Sequence, residues 1–478
     1  MAGALPSHAR VVVIGGGIAG LAAAYDLTAA GRSVRVLDAG QTPGGVMQTE
    51  RTDGWVVDRG PDSFLVQKPA AITLCTELGL EQQLISTLEP RTAFVLRDGR
   101  LHPLPEGSFL GFPVSVRGLA TSSLFTPLGK ARMAAETLIR PRGWEDAEDE
   151  SIAAFVGRRF GREAVDYLAE PLLAGIHAGD VDRLSVRLLF PRLVDTESQH
   201  GSLLRAFRAL KPKPSARGAF VSLAGGVGAL VEALVARLPA ATLMRARRAQ
   251  QVRRDTASGA YVIETIGDSL AARAVVLAVP SYEAAALVRG LDAPLAALCE
   301  GVDYASTATV ALGYRADQVT HPMHGTGFVV PRAEGRALLA ATWVTSKWPG
   351  RAPPGHVLLR AFLGGGRDPG RLDQHDDAGL TQLATEELGE VLGITGAPVL
   401  TLVTRWIRQS PQYVVGHGAR VRAIEARLDA QPGLFGAGSG FGAIGIPDCI
   451  AHGRATAIRI HEWLGSGSGL QAPGFRPR

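Results

Sequence analysis

Three glycines and an aspartate carry the first chemistry in this chain. Gly15, Gly17 and Gly20 stand in the stretch Gly15-Gly16-Gly17-Ile18-Ala19-Gly20, directly after the apolar run 11–14, and Asp38 closes a second apolar run at 34–37. That order reads as strand, glycine turn, helix, strand and acid, the arrangement that holds a dinucleotide. Gly15 permits the tight turn out of the strand. Gly17, having no Cβ, lets a pyrophosphate approach the backbone at the helix N-terminus that Ile18 and Ala19 open. Gly20 lets that helix, expected over 18–30, pack closely on the sheet. Asp38 lies where an acid accepts hydrogen bonds from a ribose.

The dinucleotide could be NAD or FAD, and two further glycine stretches favour FAD. Pro43-Gly44-Gly45 follows Asp38 closely. NAD does not need such a loop, whereas large FAD oxidases use one to cover the pyrophosphate again. Gly436-Ala437-Gly438 would put a strand end and a helix N-terminus over the flavin ring, where N–H groups stabilise negative charge on the reduced ring.

These motifs need elements to position them. The chain has 478 residues, enough for about two to three domains with a large core. Its net charge of +5 is modest for this length, and no nucleic-acid motif accompanies it. Cys75, Cys299 and Cys449 are far apart, so neither a disulfide framework nor a cysteine metal site is indicated, and no metal is expected. No signal-like leader and no run of about 18 apolar residues is present, which points to a cytoplasmic protein with, at most, peripheral membrane contact. A hairpin is expected at 94–101 around Asp98-Gly99, a helix at 68–88, and a largely helical segment at 109–210. In that segment Leu119, Leu124, Phe125 and Leu128 interleave with Arg117, Lys130, Arg132 and Arg140; they read either as core helices or as an interfacial surface. The fold expected is α/β: a discontinuous Rossmann-like FAD-binding domain (1–90, 219–285 and 425–465), an α+β substrate domain on a mixed sheet (91–108 and 286–424), and an inserted helical domain (109–210). A linker at 211–218 and a disordered tail at 466–478 complete the division.

Beyond these motifs the chain resembles the FAD-dependent amine-oxidase-like superfamily of the GR2 type, and within it the oxygen-dependent porphyrinogen oxidases of haem biosynthesis. The matching stretches are Asp58-Arg59-Gly60-Pro61-Asp62-Ser63-Phe64, Leu101-His102-Pro103-Leu104-Pro105, the block from Glu170-Pro171 through Gly175 to Asp180, and Gly445-Ile446-Pro447-Asp448-Cys449. The resemblance implies that Gly44 and Gly45 line the pyrophosphate and that Gly60 and Pro61 lie near the isoalloxazine. It places the Ala249 backbone on adenine, Trp406 against the flavin, and Gly438, Gly445 and Ile446 over its ring. It further implies that Gly175 offers its carbonyl to the pyrrole N–H groups of a tetrapyrrole, between apolar walls formed by Thr326, Val329 and Phe362. The implied reaction removes six electrons from coproporphyrinogen III or protoporphyrinogen IX, with O2 as acceptor and H2O2 released. No catalytic side chain is required, and His177, Asp180 and His417 read as structural.

Two positions depart from the resemblance. Val46-Met47 follows the second glycine loop where Arg or Lys is usual, and Ala93 stands where an Arg often pairs with a propionate, leaving Arg91 or Arg97 for that role. The copro and proto substrates both remain open, as do a monomer or a homodimer and a handover of product to ferrochelatase. A flavin amine oxidase or carotenoid desaturase on the same fold is the alternative; against the former, no lysine near the flavin is evident. A flavin-binding scaffold without turnover is the non-enzymatic one.

Overall fold

A computed structural model describes residues 8–105, 108–109, 112–113, 115–144, 148–210 and 218–466. The expected linker lies outside the described residues except for Gly218, and the expected tail except for Ser466.

Strand His8–Ile14 shows why the first sheet forms. Val11, Val12, Val13 and Ile14 are all buried, so both faces of the strand are covered, as in a parallel sheet flanked by helices. The faces divide by alternation. Val11 and Val13, with Val36, Ala274 and Val276, join the core beneath helices Ile18–Ala29, Gly228–Arg237 and Gly445–Gly465. Val12 and Ile14, with Leu37, Val275 and Leu277, pack on the opposite side against helices Ser281–Val288, Ala293–Glu300 and His417–Asp429. The strand order runs Leu243–Met244, Val34–Leu37, His8–Ile14, Asp268–Leu277, Tyr261–Thr265, Ala249–Arg254, with Leu434–Gly436 added in parallel to the end of Asp268–Leu277. The first strands are parallel; the last two extend the sheet antiparallel.

A second seven-stranded sheet is mixed. Its order is Leu400–Pro411, Tyr304–Arg315, His356–Gly364, Leu338–Trp343, Gly327–Val329, Ala93–Arg97, Arg100–Pro103, antiparallel except where Gly327–Val329 meets Ala93–Arg97. One face is apolar: Val310, Leu312, Ala361, Ala341 and Phe328 pack with Leu380, Ala384 and Leu388 of helix Asp377–Leu392. The other face turns toward the loop after hairpin Thr49–Thr52/Trp55–Asp58.

The insert after Pro103 is a cluster of short helices around Phe155, Phe160, Leu168 and Leu184. Its interior also holds ions. Arg159, Glu136 and Glu197 are fully buried, Arg159 pairs with both carboxylates, and Glu136 also accepts from Ser202 Oγ (2.6 Å) and Leu203 N (3.0 Å) at the start of helix Leu203–Leu210. Buried charges persist only when paired and hydrogen-bonded in this way. Stretch Val165–Ala174 winds as a wider π-helix, with Pro171 inside it supplying no N–H.

Three local expectations shift. The helix expected at 68–88 is only Ala70–Glu77; Leu84 falls in strand Leu84–Ser86. Phe220–Leu223 is a strand as expected, but it pairs antiparallel with Phe64–Leu65 and Leu84–Ser86 in a small separate sheet rather than rejoining the parallel one. Helix Ala293–Glu300, expected in the substrate domain, and helix His417–Asp429, which straddles the boundary expected at 424/425, bury Leu295, Ile424 and Leu428 against the parallel sheet, so we assign both to the cofactor-binding unit.

Candidate cofactor cleft and substrate slot

The glycine turn, the second glycine loop and the ends of the parallel strands enclose a cleft of about 310 Å³. Gly15, Gly17, Ile18, Ala19 and Asp38 line it from the first unit, and Gly44, Gly45, Ala249 and Gly438 from elsewhere. Gly20 lies behind, where a Cβ would come 2.1 Å from the Gly15 carbonyl oxygen. Gly15 has φ +112°, and a Cβ on it would stand 2.4 Å from the Ala278 carbonyl oxygen, so the turn admits no larger residue. Gly44 N donates to Gly16 O (2.7 Å), which folds the second loop over the first. Asp38 holds this turn as well as lining the cleft: its carboxylate accepts from Gly16 N (2.8 Å) and Gly40 N (2.7 Å). Helices Ile18–Ala29 and Gly445–Gly465 both begin without a side-chain cap; Ile18 and Ala19 bring the start of the first to the cleft, and Cys449, one turn into the second, lines it as well. Uncapped N-termini carry free N–H groups and partial positive charge, which suits a pyrophosphate and an electron-rich ring. This donor set and the room above Gly17 fit a flavin dinucleotide.

Gly60 and Pro61 lie where the cofactor-binding unit meets the mixed sheet. A Cβ on Gly60 would come 2.1 Å from Val46 O and 3.4 Å from the Trp406 ring. Trp406 Nε1 and Thr309 Oγ1 both donate to the Arg59 carbonyl (3.0 and 2.9 Å), tying the loop to the sheet. On this sheet face Val329, Ala340, Phe362, Thr309 and Thr404 form one row, each opposite the next in register. Residues opposite one another share a face, so Val329 and Phe362 lie on one face of the sheet, with Ala340 between them. Thr326 precedes strand Gly327–Val329 and donates its hydroxyl to Thr92 O (3.3 Å). Gly175 caps the π-helix in a crevice with Glu170, Leu339, Gly364 and Arg367, and its carbonyl accepts from Ala178 N (3.1 Å). Gly445 and Ile446 start the C-terminal helix.

Both candidate propionate partners are engaged within the protein. Arg97 pairs with Glu163 (2.6 Å), donates to Leu124 O (2.5 Å) and lies 4.2 Å from the Tyr167 ring centroid, so it anchors the helical insert to the sheet. Arg91 pairs with Glu89 (3.0 Å). Lys347 lies behind the Gly60 loop, its Nζ 3.1 Å from Asp62.

The family follows from comparison with known proteins. The model of flavin-containing amine oxidoreductases matches residues 18–461. A coproporphyrinogen III oxidase of Bacillus subtilis is 36% identical over 95% of this chain and 98% of its own length. One from Staphylococcus aureus is 31% identical over 94% of this chain and 98% of its own. The chain belongs to the flavin-containing amine oxidoreductase family. A crystal structure from Exiguobacterium sp. 255-15, provisionally named a protoporphyrinogen oxidase, superposes with a TM-score of 0.86 at 31% identity, covering 96% of this chain and 100% of that one. As a family member the protein is a flavin-dependent oxidoreductase. No helix among the described residues is long and apolar enough to cross a membrane, and no cluster of metal-ligating side chains is found among them.

Burial holds two histidines neutral. Burial, with Lys68 adding to it, pushes the His177 imidazole down to about 4. Burial likewise pushes His417 down to about 4; its ring stacks on Tyr413 at 4.3 Å. An unfolded histidine titrates near 6.5, so below that pH the unfolded chain binds a proton that folded His417 refuses. Stability therefore falls as pH drops from 6.5 toward 4, by up to about 3 kcal/mol from this residue. His417→Phe, which keeps the stacked ring without the titration, is expected to show a smaller loss of Tm between pH 7 and pH 5 than the parent. Equal losses would show that His417 does not set this pH dependence.

Sequence reasoning missed the charges behind the Gly60 loop, since Asp58, Asp62, Lys347, Arg351 and Arg360 are separated by up to some 300 residues; only Asp58 and Asp62 fell within a quoted motif. It also missed Ala340, whose signal was available: it pairs with Val329 and Phe362 once the three strands are aligned.

Proposed function

We propose that the protein oxidises coproporphyrinogen III to coproporphyrin III, with FAD as its cofactor and O2 as the electron acceptor. Six electrons and six protons leave the substrate, and three O2 become three H2O2. The observation that supports the substrate most is likeness over nearly the whole chain to relatives named for that reaction. Supporting FAD over a mononucleotide are the glycine turn and Ala249, which line one continuous cleft. In this reading Gly15, Gly17, Gly20, Asp38, Gly44 and Gly45 hold the AMP half and pyrophosphate, and Ala249 meets adenine. Gly60, Pro61, Trp406, Gly438, Gly445 and Ile446 surround the ring, which supplies the two-electron chemistry when bound.

The protein's own part is positioning. The row Val329–Ala340–Phe362 offers a flat apolar wall for a tetrapyrrole, and the Gly175 carbonyl offers an acceptor to its N–H groups. Turnover is tested by the growth of red porphyrin fluorescence with flavin-loaded protein; no growth above autoxidation would defeat the proposal. The product is an iron-free porphyrin, so the next step belongs to a metal-inserting ferrochelatase.

Peripheral membrane contact is a further part of the proposal. Leu128 and Leu138 of the insert are 81% and 80% exposed. Co-flotation with anionic lipid vesicles, reduced by Leu128→Ser together with Leu138→Ser, is the expected result; protein left at the bottom of the gradient would place it in the aqueous phase.

A further inference from the structure

Five charged side chains are packed behind the loop Asp58–Pro61. Side-chain exposure is 3% for Asp58, 9% for Asp62, 15% for Lys347, 0% for Arg351 and 6% for Arg360. Arg351 Nη1 lies 3.4 Å from Asp58, while Lys347 Nζ and Arg360 Nη2 lie 3.1 and 3.3 Å from Asp62. Trp348 Nε1 adds a hydrogen bond to Asp62 (3.3 Å). Three cations thus face two carboxylates, a formal sum of +1 among largely buried side chains. Arg51, close by, is balanced by Glu232 at 2.7 Å. An excess buried charge is costly, and a core of packed apolar residues would serve stability at least as well.

Arg360 connects this excess to the site. Its Nη1 donates to the carbonyls of both Asp58 and Gly60, each at 2.8 Å. Its guanidinium carbon stands 4.9 Å from the Phe362 ring centroid, and its buried Nε has no hydrogen-bond partner among the described residues. Arg360 and Phe362 are two apart on strand His356–Gly364 and so share the slot-facing side. The guanidinium therefore lies between the proposed substrate wall and the loop proposed to border the flavin ring.

We infer that Arg360 is a positioning residue for the flavin: it fixes the Asp58–Pro61 loop through two carbonyls and keeps a net positive charge beside the ring, favouring its reduced, more negative form. The inference rests on the placement of Gly60 and Pro61 beside the ring. It does not depend on which substrate is oxidised, because the decisive reading is the flavin's midpoint potential, measured by dye equilibration with no porphyrinogen present.

Arg360→Gln is expected to keep its flavin, which is held mainly at the other end of the cleft. Its potential should fall by about 30 mV, a tenfold loss in the reduced-to-oxidised equilibrium for a two-electron couple. Arg360→Lys keeps the charge but cannot serve two carbonyls and Asp62 together; its potential should stay near the parent's while kcat falls and KM holds. Lys347→Met removes one cation without touching the loop carbonyls, and should also lower the potential. It carries the test if the Arg360 variants do not fold. A parent-like potential in both Arg360→Gln and Lys347→Met, or an equal fall in Arg360→Lys and Arg360→Gln, overturns the inference. A parent protein with flavin but no turnover on any porphyrinogen would instead defeat the functional proposal, and leaves the potentials to be read as before.

Discussion

Gly17→Val is expected to give a folded protein that purifies without flavin. The two glycines of the turn separate binding from folding. At Gly17 a Cβ would meet no atom of the described residues within 4 Å beyond its own chain neighbours, and its φ of −71° and ψ of 172° suit any residue. The added side chain therefore enters only the space into which the helix N-terminus offers its N–H groups. Flavin affinity should drop by a hundredfold or more, about 3 kcal/mol, with the apoprotein's Tm unchanged. Gly15→Val behaves differently. It forces a side chain into φ +112°, 2.4 Å from the Ala278 carbonyl oxygen, and should lower Tm and flavin content together. Flavin content read at 450 nm beside a thermal melt checks both; parent-like flavin in Gly17→Val would place the cofactor elsewhere.

Ala340→Trp should close the slot while sparing the cofactor. Ala340 is half-buried on the wall, directly opposite Val329 and Phe362. An indole there projects from the wall into the space the tetrapyrrole plane needs, rather than into the core behind the sheet. A displacement of a fraction of the ring width misaligns the reacting carbon, and such misplacement costs about a hundredfold in rate. kcat/KM on coproporphyrinogen III should fall by at least that factor, while flavin content and reduction by dithionite match the parent. Parent-like turnover would move the slot to another face of the sheet.

The local parts of this fold were legible in the sequence. The strand–turn–helix from His8 to Ala29, Asp38 after its strand, and the Asp98-Gly99 hairpin are each set by neighbours in the chain, where spacing alone carries the physics. Legibility ended where partners are remote. Helices Ala293–Glu300 and His417–Asp429 present ordinary apolar stripes, and nothing in such a stripe says which sheet it will cover. Phe220–Leu223 has strand composition, but its partners Leu65 and Ile85 lie more than a hundred residues upstream. Arg97 looked available to an acidic substrate because Glu163, its partner, belongs to the insert. The buried charges at Glu136, Arg159 and Glu197, and those behind Gly60, would each pass for a solvated residue until the fold brings them together. The resemblance filled part of that gap: it pointed to Val329 and Phe362 as one wall, and strand register puts them on one face.

This flavoprotein is expected to oxidise coproporphyrinogen III before other porphyrinogens. The most direct measurement is porphyrin fluorescence growth in air with FAD-loaded protein, run in parallel on coproporphyrinogen III and protoporphyrinogen IX, with H2O2 followed in the same samples. Growth should be faster on coproporphyrinogen III, with three H2O2 for each porphyrin formed. Preference for protoporphyrinogen IX would overturn the substrate, and growth no faster than autoxidation on both would rule out porphyrinogen oxidation by this protein.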